Sequence, residues 1–131
     1  SETSGQYRWT REMRLRRPGD FRRVWAEGRT WAHPLFIARA RPNRLGRTRI
    51  GITASRKIGG SVQRNRARRL LREAARKLYR EIAPGWDLVL IARRGLLEVR
   101  GTEVIVALRD TLQRAGLWAP VDSIIDSERV T

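Results

Sequence analysis

The stretch SVQRNRARRLLREAARKLYR, residues 61–80, combines a helical pattern with the chemistry of phosphate binding. Its apolar residues recur at helical spacing, which predicts one face packed against the rest of the fold. The other face carries many arginines and a single acid, Glu73, whereas an ordinary solvated helix face mixes charge signs. Guanidinium groups donate paired hydrogen bonds to phosphate, so this face is suited to a phosphate-bearing polymer. The residues of this face expected to make that contact are Asn65, Arg66, Arg69, Arg72 and Arg76, and Arg64 and Arg68 are expected to join them from nearer the apolar side.

The segment SRKIGG directly before this helix adds a second set of phosphate-binding groups. Arg56 and Lys57 are expected to end the preceding strand, and two glycines lead into the helix. The free N–H groups of a first helical turn favour anions, and Arg64 is expected to reach toward them from the apolar side. The combination predicts a concentrated phosphate site at the entrance of the helix.

Composition favours a polyanionic partner. The 131 residues include 29 Lys and Arg against 13 Asp and Glu, which gives a net charge of +16. Such a charge opposes folding through self-repulsion and points to nucleic acid rather than to an acidic membrane. No apolar run approaches the roughly 20 residues of a membrane helix. The absence of cysteine removes disulfides and Cys-based zinc sites and is consistent with a reducing cytosol.

The residue types needed for catalysis by the chain itself are missing or scattered. His33 is the sole histidine, which excludes a two-histidine ribonuclease mechanism. A two-metal nuclease needs clustered carboxylates, whereas Asp20, Asp87 and Asp110 are expected on different elements, at helix ends or surfaces. Asp20 is better explained as a helix cap. A binding role is therefore favoured over a self-contained enzyme.

Hydropathy periodicity predicts the order helix, strands, helix, strand, helix, which is an α+β sandwich. A short helix is expected from about Asp20 to Glu27, capped by Asp20 and ended by Gly28. Strands are predicted where apolar residues alternate or run continuously, and a long helix follows them. The strands are HPLFIARARP, TRIGITAS and WDLVLIAR, and the helix is GTEVIVALRDTLQRAG, with Thr102 as cap and Gly116 as stop.

The chain is expected to form one domain with two less structured ends. Residues 1–13 are expected to be flexible, residues 14–116 to form one domain that binds nucleic acid, and residues 117–131 to form a tail. Three arginines, at positions 14, 16 and 17, form a basic arm at the start of the domain. Gly51 has no side chain, so one face of its strand is expected to have a depression there. This predicts an open patch across which another group can lie.

The segment RIGITASRKIGGSVQRNRARRLLREAAR, with Arg64-Asn65-Arg66 at its centre, resembles the bacterial ribonuclease P protein subunit. The segments RLRRPGDFRRVW and WDLVLIARR extend the similarity to roughly residues 14–115. This resemblance implies a two-layer αβββαβα sandwich with a mostly central sheet and a left-handed βαβ crossover. It also implies a cytoplasmic protein that binds the catalytic RNA and the 5′ leader of precursor tRNA, and promotes removal of the leader. The RNA would supply the active site and bind the Mg²⁺ ions, and no DNA partner is expected.

The resemblance also implies a cleft for the single-stranded leader, which aromatic stacking and cations would hold. The residues expected there are Phe21, Trp25, Phe36, Arg39, Arg56 and Lys57. Each aromatic residue could equally be part of the core. Arg39 stands where some family members have Tyr, so it is expected to make a phosphate contact or a cation–π contact. A non-catalytic alternative, a ribosomal-protein-like scaffold or RNA chaperone, shares the composition but not the Arg64-Asn65-Arg66 motif.

Overall fold

The computed structural model describes residues 10–119, which form three helices, four strands and several short 3₁₀ turns. The helices are α1 (Pro18–Glu27), α2 (Ser61–Leu78) and α3 (Gly101–Ala115). The strands are β1 (Arg29–Ala32), β2 (Phe36–Pro42), β3 (Arg49–Thr53) and β4 (Trp86–Ala92). The 3₁₀ turns are Arg11–Met13, Arg56–Ile58, Tyr79–Glu81 and Arg94–Glu98. The chain order αβββαβα agrees with the predicted α+β fold.

The four strands form one mixed sheet in the order β1-β2-β4-β3. The pairs β1–β2 and β2–β4 are antiparallel, whereas β3 and β4 are parallel and are joined through α2. This connection is the expected βαβ crossover, and its left-handed sense stays a prediction from the resemblance. Strand β4 lies between two neighbours, as its nearly continuous apolar sequence predicts.

The inner face of the sheet packs against α2 and α3 and forms the main core. Alternation along β2 places Phe36, Ala38 and Ala40 on this face, and all three are buried. The predicted apolar stripe of the central helix packs against them. Its buried members are Ala67, Leu71, Ala74, Ala75, Leu78 and, just beyond α2, Ile82. Sheet and helix pair form the two layers, and α1 covers part of the opposite, outer face.

Three rows of side chains cross the outer face of β2, β4 and β3. We call them the ion-pair row, the covered row and the open row, in order along the strands. Their residues are Arg41–Asp87–Arg49, then Arg39–Val89–Gly51, then Ile37–Ile91–Thr53. The rows alternate with the inner-face residues because successive side chains of a strand point to opposite faces.

Helix α1 lies over the covered row. Val24 is fully buried and packs with Val89, and the ring of Phe21 lies directly over Gly51. A Cβ atom at position 51 would come within 2.6 Å of that ring, so only glycine leaves enough room. The low patch at Gly51 is therefore filled by the chain's own Phe21, and the expectation of an open patch there is wrong.

The ion-pair row is built on a carboxylate with no exposed surface, Asp87. Arg49 Nε and Nη2 donate to its two oxygens at 2.9 and 2.8 Å, and Asn43 donates to it at 2.9 Å. The hydrogen bond to Asp87 is the largest cause of the raised pKa of Arg49. Arg49 also bridges to Asp20 at 3.2 Å, and Asp20 accepts from Arg23 at 2.7 Å.

These contacts correct two expectations about acids. Asp20 does not cap α1, because Arg17 is the N-cap residue and no side chain makes the capping hydrogen bond. Asp20 lies in the first turn, where its carboxylate suits the helix dipole and ties α1 to β3 through Arg49. Asp87 is not at a surface but buried, near the start of the internal strand β4.

The remaining element ends agree only in part with the expectations. Gly28 ends α1, and Gly116 ends α3 in the left-handed conformation with φ 76°. Thr102 is not the cap of α3, because the helix starts one residue earlier and Arg100 is its N-cap. Glu103 accepts a hydrogen bond from the backbone N–H of Arg100 at 3.5 Å. None of the helices in the described part of the chain is long and apolar enough to cross a bilayer.

The packed domain extends beyond the expected limits of 14 and 116. Met13 is buried on the 3₁₀ turn before the arm, in contrast to the flexibility expected for residues 1–13. Leu117 is buried after α3, and Trp118 forms a β-bridge with Ile82. The expectations for residues 1–9 and 120–131 concern parts of the chain outside the described residues.

We predict that Asp87→Asn lowers the free energy of unfolding by about 3 kcal/mol, because it leaves the half-buried Arg49 and Arg41 without their shared anion. Urea denaturation measures the change, with an unaltered m-value expected. Asp110→Asn is the matched control, since it removes the same charge from an exposed side chain. The control should cost less than about 0.5 kcal/mol. Equal destabilisation of both variants would mean that net charge, not the buried ion pair, sets stability.

Candidate nucleic-acid interface

Helix α2 presents most of its arginines on the side opposite the core, whereas Arg64 and Arg68 lie nearer its buried stripe. The exposed members of the predicted contact set are Asn65, Arg66, Arg69 and Arg72, and the half-buried ones are Arg64, Arg68 and Arg76. Arg68 donates to Asn65, and Arg76 donates to Glu73 at 2.7 Å, so the one acid in this face is already engaged. The face is therefore strongly cationic, and packing of the opposite stripe fixes its orientation.

The entrance of α2 is a turn rather than the end of a strand. Strand β3 stops at Thr53, and Arg56 and Lys57 lie exposed on the 3₁₀ turn that follows. Ser55 Oγ accepts the N–H of Lys57 at 3.3 Å and fixes the start of this turn. Gly59 has φ 145°, a conformation that side chains rarely adopt, so the turn needs glycine there. The two cations are thus held directly before the first turn of α2, which contains Arg64.

A groove of about 770 Å³ opens at the end of the sheet where β3 and β4 finish. Its floor includes Ile37 and Ile91, the two apolar residues of the open row. Lys57, Arg93 and Arg94 contribute cations to the lining. The floor can contact bases and the cations can contact phosphates. Sequence reasoning missed Arg93 and Arg94 as site residues, although the pair directly follows the last strand and could have indicated them.

The three predicted stacking aromatics occupy different environments. Trp25 is 49% exposed on α1, and Phe21 is half-buried over Gly51. Phe36 is fully buried, so its expected role in the leader cleft is wrong. The alternation of β2 turns Phe36 toward the core, where its ring stacks on His33 with centroids 5.0 Å apart. Among the three, Trp25 offers the most ring surface to a partner.

Arg39 is engaged within the protein. Its Nε donates to the carbonyl of Val24 at 2.9 Å, and its other nitrogens donate to the carbonyl of Trp25 and the hydroxyl of Thr30. The guanidinium lies 5.8 Å from the centre of the Trp25 ring. The cation–π arrangement expected for Arg39 is present, and its expected phosphate contact stays a prediction. The cation lies at the last turn of α1, where it adds a hydrogen bond to the Val24 carbonyl, which also accepts the Gly28 N–H, and binds the Trp25 carbonyl, so that Trp25 is held in place.

The acids and the histidine within residues 10–119 make contacts that hold the fold together. Asp20 and Asp87 do come together, but Arg49 lies between them and pairs with both. Within residues 10–119, no group of three His, Asp or Glu side chains could hold a metal ion. His33 Nδ1 accepts the N–H of Leu35 at 3.0 Å, and burial is the largest cause of its lowered pKa. That histidine therefore supports a turn, and burial favours its neutral form.

Comparisons with known proteins agree with this arrangement. The family model described as Ribonuclease P matches residues 9–116. The ribonuclease P protein component of Herpetosiphon aurantiacus is 44% identical over 108 residues, which cover 82% of this chain and 88% of the relative. That of Roseiflexus sp. (strain RS-1) is 43% identical over 114 residues, covering 86% and 93%.

Solved structures show the same fold. The RNase P protein from Thermotoga maritima superposes with a TM-score of 0.71 at 33% identity, covering 77% of this chain and 96% of that one. The RNase P protein of Staphylococcus aureus superposes with a TM-score of 0.73 at 26% identity, covering 81% and 97%. The family match spans the basic helix, the turn before it and the groove. The chain therefore belongs to the ribonuclease P protein family, the protein component of a ribonucleoprotein endoribonuclease whose other component is an RNA.

Proposed function

We propose that the exposed face of α2 binds the RNA of ribonuclease P, and that the groove over the open row binds the 5′ leader of precursor tRNA. The RNA would cleave the leader while the protein holds both strands in position. The observation that carries the proposal is the face of α2, where exposed arginines far outnumber the single paired acid. Like charges held so close repel one another, and an RNA backbone removes that cost.

The groove supports the leader contact because it combines the two features that bind single strands. Bases can lie against Ile37 and Ile91 on its floor, while Lys57, Arg93 and Arg94 attract phosphates. Trp25, exposed on the same side of the sheet, adds an aromatic surface for stacking. Such contacts depend little on base identity, which suits a leader of variable sequence.

Magnesium belongs to the RNA in this proposal. The described carboxylates do not form a cluster that fits the ion, so no step of the protein's action is assigned to it. A cysteine-free sequence fits a reducing compartment, and the cytoplasm is the proposed place of action. The comparisons give no support to the alternative, a non-catalytic scaffold or chaperone.

The double variant Arg64→Ala/Arg66→Ala should weaken affinity for ribonuclease P RNA. Each hydrogen-bonded contact to phosphate that is lost should cost about 1 to 3 kcal/mol of binding free energy. The slope of log affinity against log salt should flatten as well, because fewer counterions are released. Binding is measured by filter retention over a series of salt concentrations, and leader cleavage is measured at limiting magnesium.

Arg109→Ala/Arg114→Ala is the matched control, since it removes two exposed arginines from α3. It should leave the salt slope nearly unchanged. An unchanged slope in the Arg64/Arg66 variant would contradict the assignment of α2. A native protein that binds the RNA but adds nothing to cleavage would be a scaffold instead.

Trp25→Ala should reduce the preference for leader-bearing precursor over mature tRNA by about tenfold, because one stacked base contributes about 1 to 3 kcal/mol. The affinities of the assembled holoenzyme for both tRNA forms give this ratio. Trp25→Phe should keep most of the preference, and Val106→Ala, an exposed apolar residue on α3, should keep all of it. If Trp25→Ala binds both forms as the native protein does, the ring makes no contact with the leader.

Arg39→Met should lower the same preference without changing its dependence on salt, because Arg39 orients Trp25 and does not touch phosphate. The methionine keeps the apolar stem but cannot form the hydrogen bonds to the end of α1. The effects of Arg39→Met and Trp25→Ala should be non-additive in a double-mutant cycle. A flatter salt dependence in Arg39→Met would assign it a direct phosphate contact.

A further inference from the structure

We propose that the groove between α2 and α3 is the docking site of residues 120–131 of the same chain, and that this segment competes with RNA for α2. The docking is independent of the proposed function, whereas the competition rests on it. The groove has a volume of about 510 Å³ and is lined by residues of both helices. We call it the helix groove, and residues 120–131 the acidic segment.

The helix groove combines apolar side chains with unpaired cations. Its apolar lining residues are Leu70, Ala74 and Ile105, and its cations, all exposed, are Arg69, Lys77 and Arg100. Within residues 10–119, these three cations take part in no ion pair. The acid in the lining, Glu73, is already paired with Arg76 at 2.7 Å. Such a groove suits an apolar segment that carries acids of its own.

The acidic segment has that composition. Its sequence, PVDSIIDSERVT, contains three acids and one arginine, although the whole chain has a charge of +16. Two adjacent isoleucines, Ile124 and Ile125, lie between Asp122 and Asp126. Exposed ion pairs stabilise a contact only weakly, so burial of isoleucine is expected to supply most of the affinity. The acids select this groove because cations border its apolar surface.

The chain also leaves the described domain in the direction of the helix groove. Residues 117–119 pair antiparallel with residues 81–83, through two hydrogen bonds of 2.7 Å and a β-bridge. In this register Ala119 lies opposite Glu81. Because the pairing is antiparallel, the chain at Ala119 points back toward the C-terminal end of α2, which is Leu78.

The length of chain fits the same path. From Glu81 back to Leu70 the distance is about 17 Å at the helical rise per residue. An extended chain covers that distance in about five residues, which brings Ile124 beside Leu70. The acids on either side of the two isoleucines then lie next to the cations of the helix groove.

A second copy of the chain is a weaker occupant than the chain's own segment. Each copy carries a charge of +16, so two copies repel each other. A tethered segment, in contrast, has an effective concentration of about a millimolar or more at a site within its reach. Even a weak contact is therefore occupied within one chain before it forms between two.

Docking affects RNA binding because Arg69 belongs to both surfaces. It lines the helix groove and is one of the exposed arginines proposed to contact ribonuclease P RNA. A docked segment places acids beside Arg69, and the RNA backbone has to displace them. The apparent affinity for RNA is then lowered by the fraction of molecules in which the segment is undocked.

Cysteine pairs test the docking, since the native sequence contains no cysteine. Ser123→Cys is combined with Thr102→Cys in the helix groove, or with Leu45→Cys in the β2–β3 loop, both at exposed positions. The loop is the matched control because it contacts residues 83–85, close to where the chain leaves the domain, but lies outside the helix groove. In a glutathione buffer without RNA, the disulfide within one chain should form at least about tenfold more readily at position 102.

Variants that keep the charge separate docking from general attraction. Ile124→Ser/Ile125→Ser should abolish the preference for position 102, and so should Ile105→Ser on the groove side, whose urea midpoint first verifies folding. Equal disulfide formation at positions 102 and 45 would show that the segment does not dock. A disulfide that joins two chains and increases with protein concentration would make a second copy the occupant, and would overturn docking within one chain.

RNA affinity tests the competition separately. In the cysteine-free chain, Ile124→Ser/Ile125→Ser should bind ribonuclease P RNA about three to ten times more tightly, because the undocked fraction rises. Val106→Ser, at an exposed apolar residue of α3 outside the helix groove, is the control and should leave the affinity unchanged. Unchanged affinity in the isoleucine variant, with the preference for position 102 intact in the native segment, would remove the competition alone. An unchanged salt slope in Arg64→Ala/Arg66→Ala would instead contradict the proposed function and leave the docking in place.

Discussion

The bidentate ion pair between Arg49 and Asp87 is the interaction on which the outer face of the molecule depends. It lies on neighbouring strands, and the same two side chains reach α1 through Asp20 and the β2–β3 loop through Asn43. Together with the packing of Val24 and Phe21, it fixes the position of α1 over the sheet, and hence the covered and open rows. A buried charge without its partner costs several kcal/mol. Loss of either side chain is therefore expected to loosen β3, β4, α1 and the β2–β3 loop together.

This use of acids explains how a chain with charge +16 can fold and still bind RNA. Asp20 and Asp87 neutralise arginines inside the structure, where desolvation would otherwise be costly. The arginines of α2 receive almost no such compensation within residues 10–119. Their repulsion lowers the stability of the free protein, and the proposed phosphate contacts would restore it. The distribution of the few acids therefore separates the cations that build the fold from those proposed to bind RNA.

Local patterns in the sequence are sufficient to predict most of the elements but not their contacts. Helical spacing identifies the buried stripe of α2, and alternation identifies which residues of β2 share a face. Alternation alone does not say which face lies under the helices, and for this reason it cannot exclude Phe36 from the cleft. Asp20 resembles a cap in the sequence because its partner Arg49 is 29 residues away, beyond the reach of any local rule. Strand β1 gives no recognisable signal because its four residues are mostly exposed and lack a clear period.

The chemistry of each surface matches the accessibility of the bases it is proposed to meet. Folded RNA hides its bases in helices, so a protein reaches mainly phosphates and sugars, and the face of α2 is rich in arginine. A single strand exposes its bases, and the open row offers Ile37 and Ile91 beside cations, with Trp25 nearby on α1. Arg39 is a cation that contacts the protein itself. It hydrogen-bonds to the end of α1 and holds the ring of Trp25, on which a base can stack. In the proposed function, a residue that looks like a phosphate ligand in the sequence thus acts on the leader only through Trp25.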